Sequence, residues 1–418
     1  MTTTSEKIIY ELLLKVFNGG YSGIVLNEML ESIQKDKAYI TRVFYGVLEK
    51  NTQLDYIVEK LTTRRPKKPA LIILKIGLYL LRYSDTPTHA AIDKTVDLAR
   101  QIGKHDLKGF INAVLRKSVD FKLETKSMSV NLSVPDWIIQ RLKKHYDDEF
   151  IKKILAPIDY RTHIRSNKAL SFEKTELGYL VTKEQLDTLN HNDYAIMSLS
   201  SMLAVKHYIS DFKKNDSINV LDLCAAPGGK AIYLKELLPN AKVIACDIHP
   251  HRLDLIKSYA KKMSADIEVR QNDATVFNPN LYPSMRWNAA NLPPSSRGVS
   301  NAHDEAIQSE VGFDLVICDV PCSGLGVKQK PDVFINRKQE DIPVLNKLQS
   351  DIITTASKYI KAGGVLCYST CTILKEENED IVKKFLSGNS DFKLEKMLNL
   401  HPQDHNSDGF FVARMLRN

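Results

Sequence analysis

Two cysteines sit where a thiol could do chemistry. Asp319-Val-Pro-Cys322-Ser-Gly324 and Tyr368-Ser-Thr-Cys371-Thr372 each follow a short apolar, β-branched run. Such runs read as strands, and in open α/β sheets chemistry collects just beyond the strands' carboxyl ends. One thiol can attack as a nucleophile while a second group handles protons nearby. A free thiol ionises near about 8.5 and needs help to act at neutral pH. Lys230, or a helix starting after Thr372, could supply the positive potential. The spacings 318/322 and 367/371 also allow a four-thiol zinc site. Structural zinc prefers tighter knuckles with turn residues between the cysteines, so no metal is expected. Cys246, Cys318 and Cys367 lie inside apolar runs and read as small core residues. The histidines show no ligand spacing.

A second constellation points to a nucleoside ligand. A strand at 218–223 runs into Cys224-Ala225-Ala226-Pro227-Gly228-Gly229-Lys230, and a helical pattern follows. A Gly-rich turn there lets a ligand lie against backbone. It is not a phosphate-cradling P-loop, because Cys224 replaces the first glycine and Ala231 the magnesium-binding hydroxyl residue. The next strand ends at Asp247, 25 residues after Asp222, where a carboxylate can accept from ribose hydroxyls. The third leads to Asn272-Asp273, which could accept from an adenine amino group. These features fit a nucleoside cofactor without a pyrophosphate.

The elements that must position these groups are α/β. From 216 onward, short strands alternate with helical patterns, the signature of a parallel sheet. Strands are expected at 218–223, 243–247, 267–270, 313–319, 364–370 and 410–414. Residues 279–311 show no period and read as a mobile insertion. Residues 1–125 read as an all-helical bundle. Leu71-Ile-Ile-Leu-Lys-Ile-Gly-Leu-Tyr-Leu-Leu81 is apolar on nearly all sides and should be its central helix. Residues 126–215 form a small mixed linker, with a helix opening at Val134-Pro135-Asp136 and helical spacing to about Leu155. Tyr160 to Lys168 reads as a basic strand.

The chain has 418 residues, 43% hydrophobic and 26% charged, which suits two or three globular domains. No apolar run reaches the roughly 18 residues of a membrane span, and no secretory h-region opens the chain, so a cytoplasmic location is expected. The net charge is +8, and residues 1–118 hold 19 basic against 12 acidic residues. A basic front suggests a polyanion grip joined to a working domain. Arg64, Arg65, Lys67 and Lys68 form an exposed basic loop that could meet RNA phosphates.

The motifs at 221–230, 319–326 and 368–372 resemble the Nop2/Sun family of RNA cytosine-5 methyltransferases. Pro87-Thr-His-Ala-Ala-Ile-Asp-Lys-Thr-Val96 and Phe110-Ile-Asn-Ala-Val-Leu-Arg116 look like a NusB-type RNA-binding domain, and the closing Asp408-Gly-Phe-Phe411 is similar too. The resemblance covers nearly the whole chain. It implies a NusB-like all-α bundle, a small α+β linker subdomain and a Rossmann-like methyltransferase domain over 216–418. It implies S-adenosyl-L-methionine as cofactor and a cytosine in 16S rRNA as target. Cys371 would then be the nucleophile, Cys322 would assist release, and Asp319 would contact the target base beside the cofactor. Cofactor contacts would fall on Cys224 to Lys230, Asp247, Arg252, Asp273 and Asp319. The linker looks shorter than the family's RNA-docking subdomain. A monomer is expected. The pocket motifs do not encode the substrate, so tRNA or 23S rRNA are alternatives, as is a non-catalytic RNA-binding or antitermination factor on the same fold.

Overall fold

The computed structural model describes residues 4–33, 35–157, 161–166, 168–278, 312–327 and 330–418. The proposed insertion at 279–311 lies outside them. The chain divides into two compact units, Met1–Ala156 with Gln329–Gln339, and Pro157–Lys328 with Glu340–Asn418.

The first unit is helical among its described residues. Its central helix is Lys68–Tyr83, with Ile72 to Leu80 all buried, as the apolar run predicts. Pro69 falls in the first turn, where its missing N–H costs nothing. Six other α-helices, from Ser5–Val16 to Lys108–Val119, bury their apolar stripes around it. The helical spacing after Val134 is not one helix. It breaks into Asp136–Leu142 and Asp148–Leu155, because the Asp147 carboxylate accepts the Phe150 N–H at 2.8 Å and starts a new helix. Pro135 precedes the first of them rather than lying inside it. Both helices belong to the first compact unit.

The second unit holds two sheets. The smaller pairs β1 (Thr162–Arg165), β2 (Glu173–Lys174), β3 (Tyr179–Val181) and β4 (Ala195–Ile196) in the order β2-β3-β1-β4, all antiparallel. This small sheet falls within the expected linker range 126–215, whose first part lies instead in the first compact unit. The basic strand at its centre is not an exposed grip: Arg165 is buried and pairs with Glu236.

The larger sheet contains β5 (Asn219–Asp222), β6 (Lys242–Asp247), β7 (Glu268–Gln271), β8 (Phe313–Asp319), β9 (Ile360–Thr370), β10 (Phe392–Leu400) and β11 (Phe410–Arg417). Their order is β10-β11-β9-β8-β5-β6-β7, parallel from β7 to β9 and antiparallel through β11 and β10. All six expected strands are present. The seventh, β10, is an edge strand with only Phe392 and Leu400 buried, so it has no sustained apolar face to read.

The order of the strands reverses after β7, and this positions the site. β5 sits between β6 and β8, and β8 between β5 and β9. The loops leaving β5, β8 and β9 therefore emerge side by side at one carboxyl edge. On the far side, Arg414 of β11 is buried and binds Asp211, Glu395 and the Tyr208 carbonyl, which anchors the helix Leu199–Tyr208. Among the described residues, no helix is long and apolar enough to cross a membrane.

Candidate active site

The loop after β5 turns sharply into the helix Gly229–Leu237. Gly228 adopts φ +104°, a left-handed conformation that disfavours any side chain, and a Cβ there would sit 3.2 Å from Ile256. Ala226–Pro227 is a cis peptide. A Cβ at Gly229 would meet only Tyr259, at 3.7 Å, so this face of the turn is open. It opens onto a pocket of about 170 Å³. Cys224 to Pro227, Gly229 and Lys230 line it, together with Asp222, Asp319, Ile196, Met197, Ser201 and Tyr259.

Asp247, Arg252 and Asp273 are not among the pocket's lining residues. Asp247 is buried at the end of β6, accepts the His249 N–H at 3.0 Å and pairs with Arg252 at 3.2 Å. Arg252 in turn reaches the Ala226 carbonyl at 3.5 Å, which ties it to the loop. Asp273 is turned inward on its own segment, accepting from the Thr275 N–H and hydroxyl at 2.9 and 2.6 Å. The donor set at this edge suits the expected cofactor. An open glycine face meets uncharged backbone, and carboxylates close the next strand ends, with no basic cradle for a pyrophosphate.

The two cysteine loops meet. Cys322 Sγ and Cys371 Sγ lie 3.4 Å apart, a hydrogen-bond contact far longer than the roughly 2.05 Å of a disulfide. Several bonds hold the loops in this register. Val320 N–H donates to the Ser369 carbonyl at 3.0 Å, Gly326 N–H to the Cys371 carbonyl at 3.0 Å, and Ser323 shares a hydroxyl contact with Thr372 at 2.7 Å. Gly326 also passes against Gly409, whose N–H donates to the Gly326 carbonyl at 2.8 Å. A Cβ on Gly326 would lie 2.6 Å from the Gly409 carbonyl and 2.9 Å from that of Cys371. This close crossing explains why the closing Asp-Gly-Phe-Phe segment belongs with the catalytic motifs.

Lys230 reaches across the edge from the first helix to Asp319, at 2.6 Å. Asp319 also accepts from Ser369 at 3.1 Å, and Ser369 meets the fully buried Tyr208 hydroxyl at 2.6 Å. Burial alone would lower the Lys230 ammonium. Asp319, by charge and by hydrogen bond, then Cys371 and Asp222, outweigh this and hold it above its usual range. Lys230, with Cys371 among the charges that act on it, fits the expected source of positive potential. The alternative source, a helix opening right after Thr372, is not there. The chain instead makes a short 3-10 turn, Lys375–Glu377, rich in glutamate, and its next helix begins at Glu379.

The Cys322 thiol is pushed well above its ordinary range, first by the hydrogen bond with Cys371, then by burial and by the charges of Cys371 and Glu377. Asp222 was not singled out from sequence as a site residue. Burial, then the charge of Asp319, raises it from 3.8 to about 7, against the opposing pull of Lys230. A strand-ending aspartate looks ordinary until its neighbours across the sheet are known. Ile196, Met197, Ser201 and Tyr259 were missed for the same reason. Arg64, Arg65, Lys67 and Lys68 are exposed on the first unit. Arg65 is committed to Asp55 and Glu59, and Lys68 to the Phe17 carbonyl and Asn18. Among the described residues, no group of three or more His, Cys, Asp or Glu could hold a metal ion.

A family model described as 16S rRNA methyltransferase RsmB/F matches residues 209–416, and a NusB family model matches residues 6–120. The chain belongs to the RsmB/F family of rRNA methyltransferases, enzymes that take their methyl group from S-adenosyl-L-methionine. Its relatives include ribosomal RNA small subunit methyltransferase B of Escherichia fergusonii, 30% identical over 92% of this chain and 91% of that protein. The same protein of Shigella flexneri is 29% identical over the same shares. The crystal structure of PH0851 shares the fold, with a TM-score of 0.75, 21% identity and 99% of both chains covered.

Two outcomes follow from the geometry. Gly326→Ala should leave the protein folded but displace the Cys371 loop and lower kcat by about 100-fold, the usual cost of roughly 1 Å of misplacement; steady-state kinetics beside a thermal melt separate the two effects. For Asp222, the folded protein binds a proton more readily than the unfolded chain between pH 3.8 and about 7. Wild-type stability should therefore fall as pH rises through that window. Asp222→Asn should flatten this dependence in urea titrations at pH 5 and pH 8, and an unchanged slope would place the ionisation elsewhere.

Proposed function

We propose that the enzyme methylates carbon 5 of a cytosine in 16S rRNA, with Cys371 as covalent nucleophile. The observation that carries this reading is the thiol pair, 3.4 Å apart, beside the Lys230–Asp319 ion pair. Carbon 5 of cytosine is too poor a nucleophile to take a methyl group unaided. The Cys371 thiolate adds to carbon 6, and the C5=C6 electron pair becomes available at carbon 5. Cys224 to Lys230 with Asp247 and Arg252 would hold S-adenosyl-L-methionine, which would supply an electrophilic methyl group, its sulfur keeping the electron pair of the broken bond and leaving as a neutral thioether. Asp319 takes a hydrogen bond from the target base's edge while bound to Lys230, and Lys230 offsets the negative charge of the Cys371 thiolate. Release needs the proton on carbon 5 passed to solvent. The C–H electrons then restore the C5=C6 bond and the Cys371 sulfur leaves. Cys322, touching that sulfur, assists this last step. Asp273 would close the nucleoside end of the site.

The front unit, residues 1–125, would supply the RNA grip, joined through a linker at 126–215 to the methyltransferase domain at 216–418. Among the described residues, Arg64 and Lys67 are the members of the basic loop not committed to neighbours. A cytosine in 16S rRNA is favoured over tRNA or 23S rRNA by the relatives, which are named for the small subunit. The enzyme would act as a monomer.

The reading is tested with radiolabelled S-adenosyl-L-methionine and unmodified 16S rRNA, with 23S rRNA and tRNA alongside, followed by nucleoside analysis. Label should appear as 5-methylcytidine from 16S rRNA, and label on another base would sink the mechanism. Cys371→Ala should lose turnover while cofactor affinity changes little. Cys322→Ala should accumulate a covalent protein–RNA adduct on denaturing gels, and its absence would leave Cys322 without a release role. Neutralising Arg64 and Lys67 should lower the slope of log affinity against log salt by about 0.7–0.9 for each phosphate no longer neutralised; an unchanged slope would put the RNA path elsewhere.

A further inference from the structure

Beneath the cysteine loops lies a carboxylate with more charge than its bonds explain. Glu377 is fully buried. Its Oε1 accepts the Ser323 N–H at 2.8 Å and the Gln349 side-chain N–H at 2.9 Å. Gln349, equally buried, also donates to the Pro321 carbonyl at 3.0 Å. Cys322 is thus gripped from both neighbours, Pro321 through Gln349 and Ser323 directly. The Glu377 backbone carbonyl takes the Tyr368 hydroxyl at 2.6 Å, which fixes the same turn to β9 just before Cys371.

All of the clamp's side-chain bonding is done by one oxygen. The other, Oε2, has no hydrogen-bond partner, and Glu377 makes no ion pair among the described residues. A glutamine would hold both N–H donors equally well. Burying a carboxylate where an amide would serve is costly unless the charge has a use. Cys322 lies next to Ser323, whose N–H donates to this carboxylate, and feels its charge.

We infer that Glu377 is a positioning residue whose negative charge keeps the shared proton of the thiol pair on Cys322, so that Cys371 is the sulfur left free to attack. This rests on the reading of Cys371 as nucleophile. The groups acting on Cys322 are Cys371 and Tyr368 from β9 and the turn beyond it, and Glu377 from the 3-10 turn. Lys230, bonded to Asp319 at 2.6 Å, has Cys371 among the charges that act on it. The pair is therefore polarised, cation on the Cys371 side and anion on the Cys322 side, and the raised Cys322 thiol agrees with that polarity. Two thiols so close titrate as one system, with the working form holding a single proton between them.

The test is site-resolved alkylation with iodoacetamide across pH 6 to 10, read by peptide mass spectrometry, in the full chain. In wild type, label should appear on Cys371 before Cys322. Glu377→Gln keeps the clamp and removes the charge. It should increase label on Cys322 at fixed pH by about tenfold for each unit its thiol falls. It should also move the alkaline limb of the kcat profile to lower pH, with KM for RNA little changed. Wild-type label on Cys322 first, or a labelling order and pH profile unchanged in Glu377→Gln, overturns the inference. Should Glu377→Gln fail to fold, Glu377→Asp takes its place. That variant keeps the charge but loosens the clamp, so Cys371 should still label first while kcat falls, and the reverse order overturns the proposal. Labelling needs no turnover. Failure here with Cys371 still essential for methyl transfer strikes only the role of Glu377, whereas turnover in Cys371→Ala strikes the nucleophile assignment itself.

Discussion

Two sulfur atoms 3.4 Å apart, at the carboxyl ends of neighbouring parallel strands, set the terms for the rest of the catalytic unit. The contact exists only because β8 and β9 are adjacent in the sheet, and because their loops turn toward each other instead of away. Much of the surrounding architecture holds that register. Gly326 crosses Gly409 too closely for a side chain, Thr372 meets Ser323, and buried Tyr368 ties β9 to the turn beyond. The proposed thiol chemistry would tolerate little error in position, and these bonds and close approaches limit it.

Around the sulfurs the charges are sorted. Lys230 comes from the helix after β5 and pairs with Asp319 at 2.6 Å, with Cys371 among the charges that act on it. Glu377 lies buried toward Cys322. A third carboxyl, Asp222, is raised to about 7 by burial and by the charge of Asp319. With little water present, each of these groups acts over a few ångströms with less screening than on a surface. The chain gathers them from three separate strand ends because the reversal of strand order brings those loops to one edge, where open α/β sheets place their ligands.

The front unit follows a different logic. Its stability comes from one nearly all-apolar helix wrapped by amphipathic ones, and of that helix's residues the buried Lys75 is paired with Asp55. Part of the basic loop serves the unit itself: Arg65 pairs with Asp55 and Glu59, and Lys68 closes onto Phe17 and Asn18. The remaining cations are what an RNA backbone could recruit.

Local order settled most of the architecture. The period of the apolar residues marked the helical front, the alternating strands and the Gly-rich turn, because those patterns reflect burial within a few residues. It marked Cys322 and Cys371 as strand-end thiols for the same reason. β10 escaped, since an edge strand has no buried face to leave a pattern, and the break at Asp147 escaped because a single capping carboxylate overrides helical spacing. What only the tertiary structure decided was which groups meet. The partner of Lys230, the raised Asp222 carboxyl and the buried Glu377 all depend on contacts between residues tens of positions apart. Ionisation and reactivity follow from burial and from charges a few ångströms away, and no local spacing along the chain encodes those distances.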